Sequence, residues 1–203
     1  VRGISGIPTK IPYQGRLVVT GEAFIRPSHF EAIKATLLDS SGQPYKNGRN
    51  LAAGSVRLHK SEECRKRRVT FIVLEGFDEL ENKSDKLKQL TPLGFTHCYY
   101  LATNRKLTQE ETETGIKRLR QYAKDYDIPI DGIVVTYNNI AYAKSCGRTG
   151  HHYKDGIAYK FEDELYETRM TCIEWTPSRT GEIAPVAILK PVEIDGCTVS
   201  RAS

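Results

Sequence analysis

The 203-residue sequence lacks any apolar run approaching the roughly 18 to 20 residues that a membrane-spanning helix needs, so no membrane partner is expected. It also lacks a Cys-x-x-Cys pair. The five cysteines, Cys64, Cys98, Cys146, Cys172 and Cys197, are odd in number and widely scattered, which argues against a disulfide framework or a zinc site and for reduced thiols in a cytoplasm. There is no initiator methionine, signal-peptide pattern or targeting tail, and the opening Val1-Arg2-Gly3-Ile4 leads us to expect a fragment that begins inside a longer protein. A strong excess of one charge is missing too. Thirty basic against 25 acidic residues leave a formal net charge of +5, modest for a nucleic-acid binder but favouring anionic over cationic partners. What is present is ordinary globular composition, 39% hydrophobic and 27% charged, in a chain long enough for one large domain or a medium domain with part of another.

The most informative stretch is Ile130-Asp131-Gly132-Ile133-Val134-Val135-Thr136-Tyr137. A glycine followed by five residues of high strand propensity predicts a strand buried on both faces. Period two puts Gly132, Val134 and Thr136 on one face and Asp131, Ile133 and Val135 on the other. Without a Cβ, Gly132 permits close approach of a ligand, and Val134 beside it makes a floor for a flat ring. The alternative is a plain core strand in which Asp131 caps a turn and Gly132 marks a bulge.

Upstream, Arg16 to Arg26 alternates as a strand with Glu22 at its centre. A carboxylate there either meets solvent or faces a cleft that binds it. Ser28 and Glu31 have capping-box spacing ahead of a helix carrying Phe30, Ile33 and Leu37. The segment Gly48-Arg49-Asn50-Leu51-Ala52-Ala53-Gly54-Ser55-Val56-Arg57 combines small residues with two arginines two helical turns apart. They either serve phosphates and carboxylates or are solvated on a tightly packed helix. The basic run Arg65-Lys66-Arg67-Arg68 is a solvated face or a nucleic-acid contact. Strands are expected at 67–74 and 96–101, a helix at 80–90, and a helix from the Thr108/Glu111 capping box to Asp125. Gly156 to Phe161 is a short strand in which Lys160 shares a face with Ala158, placed to meet an anion or to reach water. His151 and His152 are assigned no metal, since neighbours on an extended chain point apart. From Asp163 onward, short strands at 171–176, 183–189 and 197–200 alternate with turns at Ser178 to Gly181 and Ile194 to Gly196, too few to close a barrel.

Five of these blocks, in order along nearly the whole chain, resemble the bacterial NAD-dependent DNA ligases. Gly21-Glu22 resembles the family's Gly-Glu motif, and the 48–57 block resembles Pro-Arg-Asn-Ala-Ala-Ala-Gly-Ser-Leu-Arg. Ile130 to Val135 is similar to the Asp-Gly strand beneath the adenine, and Ile157 to Phe161 to the last adenylation motif. Ser178 to Ala187 with Val199 to Ser203 is similar to the opening of the OB-fold. The resemblance implies an α+β nucleotidyltransferase domain of the ATP-grasp-like DNA ligase type over residues 1–162, with mostly antiparallel sheets and flanking helices, and the first strands of an OB-fold barrel over 163–203.

It further implies a monomeric, cytoplasmic enzyme that seals nicks in double-stranded DNA through enzyme-AMP and DNA-adenylate, with NAD as AMP donor and Mg2+ as cofactor, and zinc confined to a part of the parent outside these residues. By that resemblance Glu22 contacts the nucleotide ribose or places a metal-bound group. Arg49 and Arg57 contact nucleotide and phosphate, Gly132 and Val134 lie under adenine, Lys160 neutralises the AMP phosphate, and Asp131 serves adenylate transfer or metal binding. Three features depart from the family: the nucleophile motif Lys-x-Asp-Gly is absent, Lys154-Asp155-Gly156 being a residue short; Thr136 stands where many members carry lysine; and Leu74 stands near a usual aromatic position. Without that lysine the fragment is expected to be inactive alone. The competing expectations are an ATP-dependent nucleotidyltransferase, RNA ligase or capping-like, and a non-catalytic OB-type nucleic-acid module.

Overall fold

A computed structural model describes residues 3–39, 42–76, 80–150, 153–161, 165–194 and 197–202. His151, His152, Asp163, the Asp195-Gly196 turn and Ser203, all singled out in the sequence, lie outside the described residues. The chain divides into two compact units, Val1–Phe161 and Glu162–Ser203. The first is mixed α/β, the described part of the second is all β, and every sheet is small and antiparallel.

In the first unit β1 (Val19–Phe24) pairs with β2 (Thr70–Gly76). The run Thr70-Phe71-Ile72-Val73 suits a pleated, buried surface, and Val73 is fully buried. Helices α1 (Pro27–Ile33), α2 (Gly48–Val56) and α3 (Ser61–Lys66) build one cluster with it from Ile25, Phe30, Leu51, Ala52, Cys64 and Val69. Helix α4 (Lys83–Lys88) and the 3-10 turn Thr91–Leu93 build a second, in which Leu87 and Leu90 meet Val73. An unbroken period-two strand would put Val19 and Ala23 on one face. They pack against different clusters, and the pairing shifts register between Thr20 and Gly21, where Leu74 of β2 is the extra, unpaired residue of a bulge.

Two local expectations are corrected. Ser28 and Glu31 form no capping box: α1 starts at Pro27, whose ring presets a helical φ, and Ser28 gives its backbone N–H and Oγ to the Asp127 carboxylate, at 3.0 and 2.5 Å. Residues 96–101 are extended but form no regular strand. Their backbone pairs with β2 through the Val73–His97 bridge and the two bonds Val73 N–H to Thr96 O and Cys98 N–H to Val73 O, while Cys98 and Tyr100 pack against the cluster around Val73. Helices α3 and α6 (Ile140–Ser145) have no apolar periodicity long enough to reveal them.

Helix α5 (Gln109–Asp125) opens as its capping box dictates. The Thr108 Oγ1 accepts from the Glu111 N–H at 3.2 Å, and the Glu111 carboxylate accepts from the Thr108 N–H at 2.9 Å. Tyr122 of α5 stacks between Tyr99 and Tyr126, with ring centroids 4.2 and 4.3 Å away. That stack ties the helix to the extended 96–101 segment. Beyond it β3 (Gly132–Thr136) pairs with β4 (Gly156–Lys160) alone.

The expectation that β3 is buried on both faces is also corrected, because Val134 is 70% exposed and Ile157 opposite its neighbour is 71% exposed. A two-stranded ribbon has only what packs over it to exclude water. No element among the described residues covers the Val134 face.

The second unit is a meander of β5 (Met170–Pro177), β6 (Ile183–Ile194) and β7 (Cys197–Ala202), in the order β5-β6-β7. Its first turn closes through Gly181 at φ +87° and a 2.7 Å bond from the Ser178 N–H to Glu182 O, a backbone that glycine adopts without penalty. No helix among the described residues is long and apolar enough to cross a membrane.

Arg105 and the Thr108 N–H together hold the Glu111 carboxyl down at about 2, the arginine bond contributing most. A folded-state pKa below the unfolded one stabilises fully above the unfolded value and fades as pH falls through the folded one. Glu111→Gln is therefore expected to lower stability at pH 7, with the gap from wild type closing between about pH 4.5 and 2. Urea unfolding at several pH values checks this, and a gap of equal size at pH 7 and pH 2 refutes it.

Candidate functional site

The β3–β4 ribbon sets the geometry of the site. Its register pairs Gly132 with Lys160, Val134 with Ala158 and Thr136 with Gly156. Directly opposed residues in an antiparallel pair point to the same face, so one face carries glycine, valine, threonine, alanine and a single lysine. A Cβ at Gly132 would lie 2.5 Å from the Tyr159 carbonyl oxygen, and one at Gly156 would lie 2.5 Å from that of Val135. Each strand thus starts with a glycine because the partner backbone occupies the space of a side chain. The close approach expected at Gly132 is made by β4 itself, and no register shift accompanies it.

The opposite face carries Ile133, Val135, Ile157 and Tyr159. Arg120 of α5 lies 4.4 Å above the ring of Phe161, which continues that side beyond β4 and meets Tyr159 edge-on at 6.1 Å. Helix α5 therefore lies toward that side, and the Val134 face stays open.

Helix α2 brings in the arginines. Asn47 caps it, its side chain accepting from the Asn50 N–H at 2.8 Å. Leu51, Ala52 and Ser55 are buried, and Ser55 Oγ is satisfied by the Leu51 carbonyl at 2.5 Å. The small-residue block is thus used for packing, which leaves Arg49 and Arg57 at the surface. Arg49 reaches the Asp131 carboxylate just ahead of β3 and forms a short ion pair. The Asp131 hydrogen bond, then its charge, and more weakly the charge of Glu22, raise the Arg49 pKa above its ordinary value. With both partners about three-quarters exposed, the pair contributes no more than about 1 kcal/mol to stability.

Arg49, Asp131, Gly132, Val134 and Lys160 thereby form one connected patch, and the charge of Glu22 is felt at Arg49. Arg57, at the far end of α2, is not part of it and makes no ion pair or side-chain hydrogen bond among the described residues.

A second charged group sits at the exit of β3, and the sequence reading passed over it. Lys83 Nζ lies 2.5 Å from both Thr136 Oγ1 and Asp155 Oδ2. Its helix is fastened there by Lys83 N–H to Asn138 O and Ser84 N–H to Asn138 Oδ1, each 2.9 Å. The Lys83 hydrogen bond, ahead of its charge, holds the Asp155 carboxyl below the usual range. Lys83 therefore brings an ammonium to the position where the resemblance expects a lysine and the sequence has Thr136. The one signal in the sequence was the Lys154-Asp155-Gly156 triplet, weighed only as an imperfect nucleophile motif. No three His, Cys, Asp or Glu side chains converge on a metal position among the described residues.

The sequence model of the NAD-dependent DNA ligase adenylation domain matches residues 1–164. The chain belongs to this family. Similar proteins include a DNA ligase of Lachnoclostridium phytofermentans, 42% identical over 97% of this chain and 30% of that protein. A DNA ligase of Ruminiclostridium cellulolyticum is 39% identical over the whole chain and 31% of that protein, and one of Bacillus pumilus is 36% identical over the same shares. The chain spans about a third of the length of the curated relatives it matches. The mixed α/β unit with small antiparallel sheets is consistent with an adenylation domain.

Gly132→Ala puts a methyl group against the Tyr159 carbonyl, with backbone and not a flexible side chain in the way. It is expected to cost about 1 to 3 kcal/mol, the usual range for overpacking. Thermal or urea unfolding of the variant checks this, and a change below about 0.5 kcal/mol would show that the strands separate freely.

Proposed function

We propose that residues 1–162 work as the adenylation domain of an NAD-dependent DNA ligase of the ATP-grasp-like nucleotidyltransferase type, and that 163–203 form the opening strands of an OB-fold barrel. The full-length protein then seals nicks in double-stranded DNA, as a monomer in the cytoplasm. The observation that carries this reading is the open Val134–Ala158 face, with Lys160 opposite Gly132 at one end and the Arg49–Asp131 pair beside it. An exposed apolar floor bordered by a few charged groups is the usual composition of a nucleotide site.

NAD, when bound, supplies an AMP group on a good leaving group. Each residue of the patch then has a task its chemistry suits. Val134 and Ala158 give the adenine ring an apolar bed, and Gly132 and Gly156 keep that bed flat. Lys160, sharing its face with Gly132, offsets the charge of the AMP phosphate, and preorganised charge of this kind is the main resource in phosphoryl-type transfer. Glu22 accepts hydrogen bonds from ribose hydroxyls. Arg49, held by Asp131, presents its remaining N–H groups to phosphate oxygens, while Asp131 keeps that guanidinium aimed and assists adenylate transfer. Arg57 serves phosphates farther along α2. The described residues offer no dedicated site for Mg2+, the carboxylates of Glu22 and Asp131 both lying near Arg49, and no step is assigned to the ion.

The deciding assay is self-adenylation and nick sealing by the full-length protein. Activity is expected with NAD and not with ATP, and Glu22→Ala or Lys160→Ala should lower self-adenylation roughly 100-fold, the cost of one preorganised charge contact at about 3 kcal/mol. Sealing with ATP alone overturns the NAD reading, and near-normal adenylation in both variants removes them from the site.

A second expectation concerns the 203 residues by themselves. None of their lysines lies in a Lys-x-Asp-Gly motif, and Lys160, placed against the phosphate oxygens to offset their charge, is not positioned for in-line attack on phosphorus. Intact-mass analysis after incubation with NAD and Mg2+ should show no added adenylyl group, and an adduct mapped to any of these lysines contradicts the assignment of Lys160.

A further inference from the structure

The basic run Arg65 to Arg68 has no part in the nucleotide patch, and the structure divides its members between two tasks. Arg67 turns inward, 3.3 Å from Ser55 Oγ and 5.9 Å above the Tyr45 ring. Arg65 and Arg68 instead line an open cavity of about 530 Å³, together with Arg26, Ser28 and His29. The cavity lies where residues 3–5, the end of β1 and the start of β2 converge, and it shares no residue with the patch around Val134.

Its three guanidiniums outnumber the one carboxylate, Asp127, that is hydrogen-bonded to its lining. Arg65 and Arg68 make no ion pair among the described residues. Arg26 gives a guanidinium N–H to the Tyr126 carbonyl, and the neighbouring carboxylate, Asp127, is taken by Ser28. Three guanidiniums around one space repel each other and concentrate any available anion. Two further features are unexplained by folding alone. His29 Nε2 is buried with no hydrogen-bond partner, a costly state that native structures ordinarily relieve with a ligand or water. Arg68 holds φ +50°, a left-handed backbone uncommon for a residue that is not glycine, asparagine or aspartate, and one that persists only where the surroundings enforce it. Burial, reinforced by the charge of Arg68 and opposed by a hydrogen bond from the ring to the Lys66 backbone, pushes the His29 pKa down, which fits a positive field across the cavity.

We propose that this cavity is a phosphate site, in which Arg26, Arg65 and Arg68 hold one phosphate or phosphodiester group and His29 Nε2 donates to one of its oxygens. Guanidiniums suit that role because their planar fork matches phosphate oxygens and their charge is permanent. The proposal does not rest on the ligase reading, since none of its residues takes part there.

The test follows the His29 ring signals by NMR in the full chain while inorganic phosphate, or separately a short duplex DNA, is added at constant ionic strength with chloride as the control. A saturable His29 shift is expected, with a rise in its pKa because a bound anion favours the imidazolium. Arg65 is exposed in the last turn of α3, so Arg65→Gln should leave the fold intact, as its unfolding curve will show, and weaken binding about tenfold or more. Saturation by phosphate alone identifies a free phosphate as the ligand. Saturation by DNA, with a salt dependence that falls by about one phosphate contact in Arg65→Gln, identifies the nucleic-acid backbone. No saturable shift with either probe, or equal affinity in wild type and Arg65→Gln, overturns the proposal.

Discussion

The close approach of β3 and β4 is the constraint on which the candidate site depends. At Gly132 and Gly156 each strand's backbone fills the space where the other would carry a side chain. Those two contacts lock the register, and the register alone decides that Lys160 stands opposite Gly132 and shares its face with Val134. A slip of one residue would send the whole set to the other side. The apolar floor and its ammonium are therefore products of two glycines at opposite ends of a short ribbon.

The ribbon is fastened to the rest of its unit at both ends by charge. At the entry, Arg49 of α2 takes the Asp131 carboxylate; at the exit, Lys83 of α4 takes Asp155 and Thr136. The entry pair is exposed and weak, suited to yielding when a ligand competes for the guanidinium. The exit pair is more enclosed, with Asp155 only 17% accessible, and is backed by two bonds to Asn138. One end is thus held loosely and the other firmly. Both helices are anchored in turn by the apolar clusters on the β1–β2 sheet, so the packing of Leu51 and Leu87 stands behind the aim of two charged side chains.

Local signals with a single physical meaning survived into the structure. The Thr108/Glu111 box opens α5, the small residues of the 48–57 block form α2, and Gly181 turns β5 into β6. Signals with a competing solution did not. Ser28 had the right spacing for a cap, but Pro27 began the helix first and Asp127, nearly a hundred residues on, took its donors. The apolar run of β3 promised burial, yet the same composition serves a surface left open beside a charged cluster.

The amino-acid sequence by itself determined the family, the chemistry-bearing residue types and the elements that carry them, because motif spacing, glycine placement and caps act over a few residues. It left undecided which of those residues meet. That Arg49 meets Asp131 beside the face of Lys160 while Arg57 does not, that Lys83 stands at Thr136, and that two of four consecutive basic residues join Arg26 around one cavity came only from tertiary structure. Contacts between residues tens of positions apart depend on register and on how helices seat against a sheet, and no local pattern encodes either.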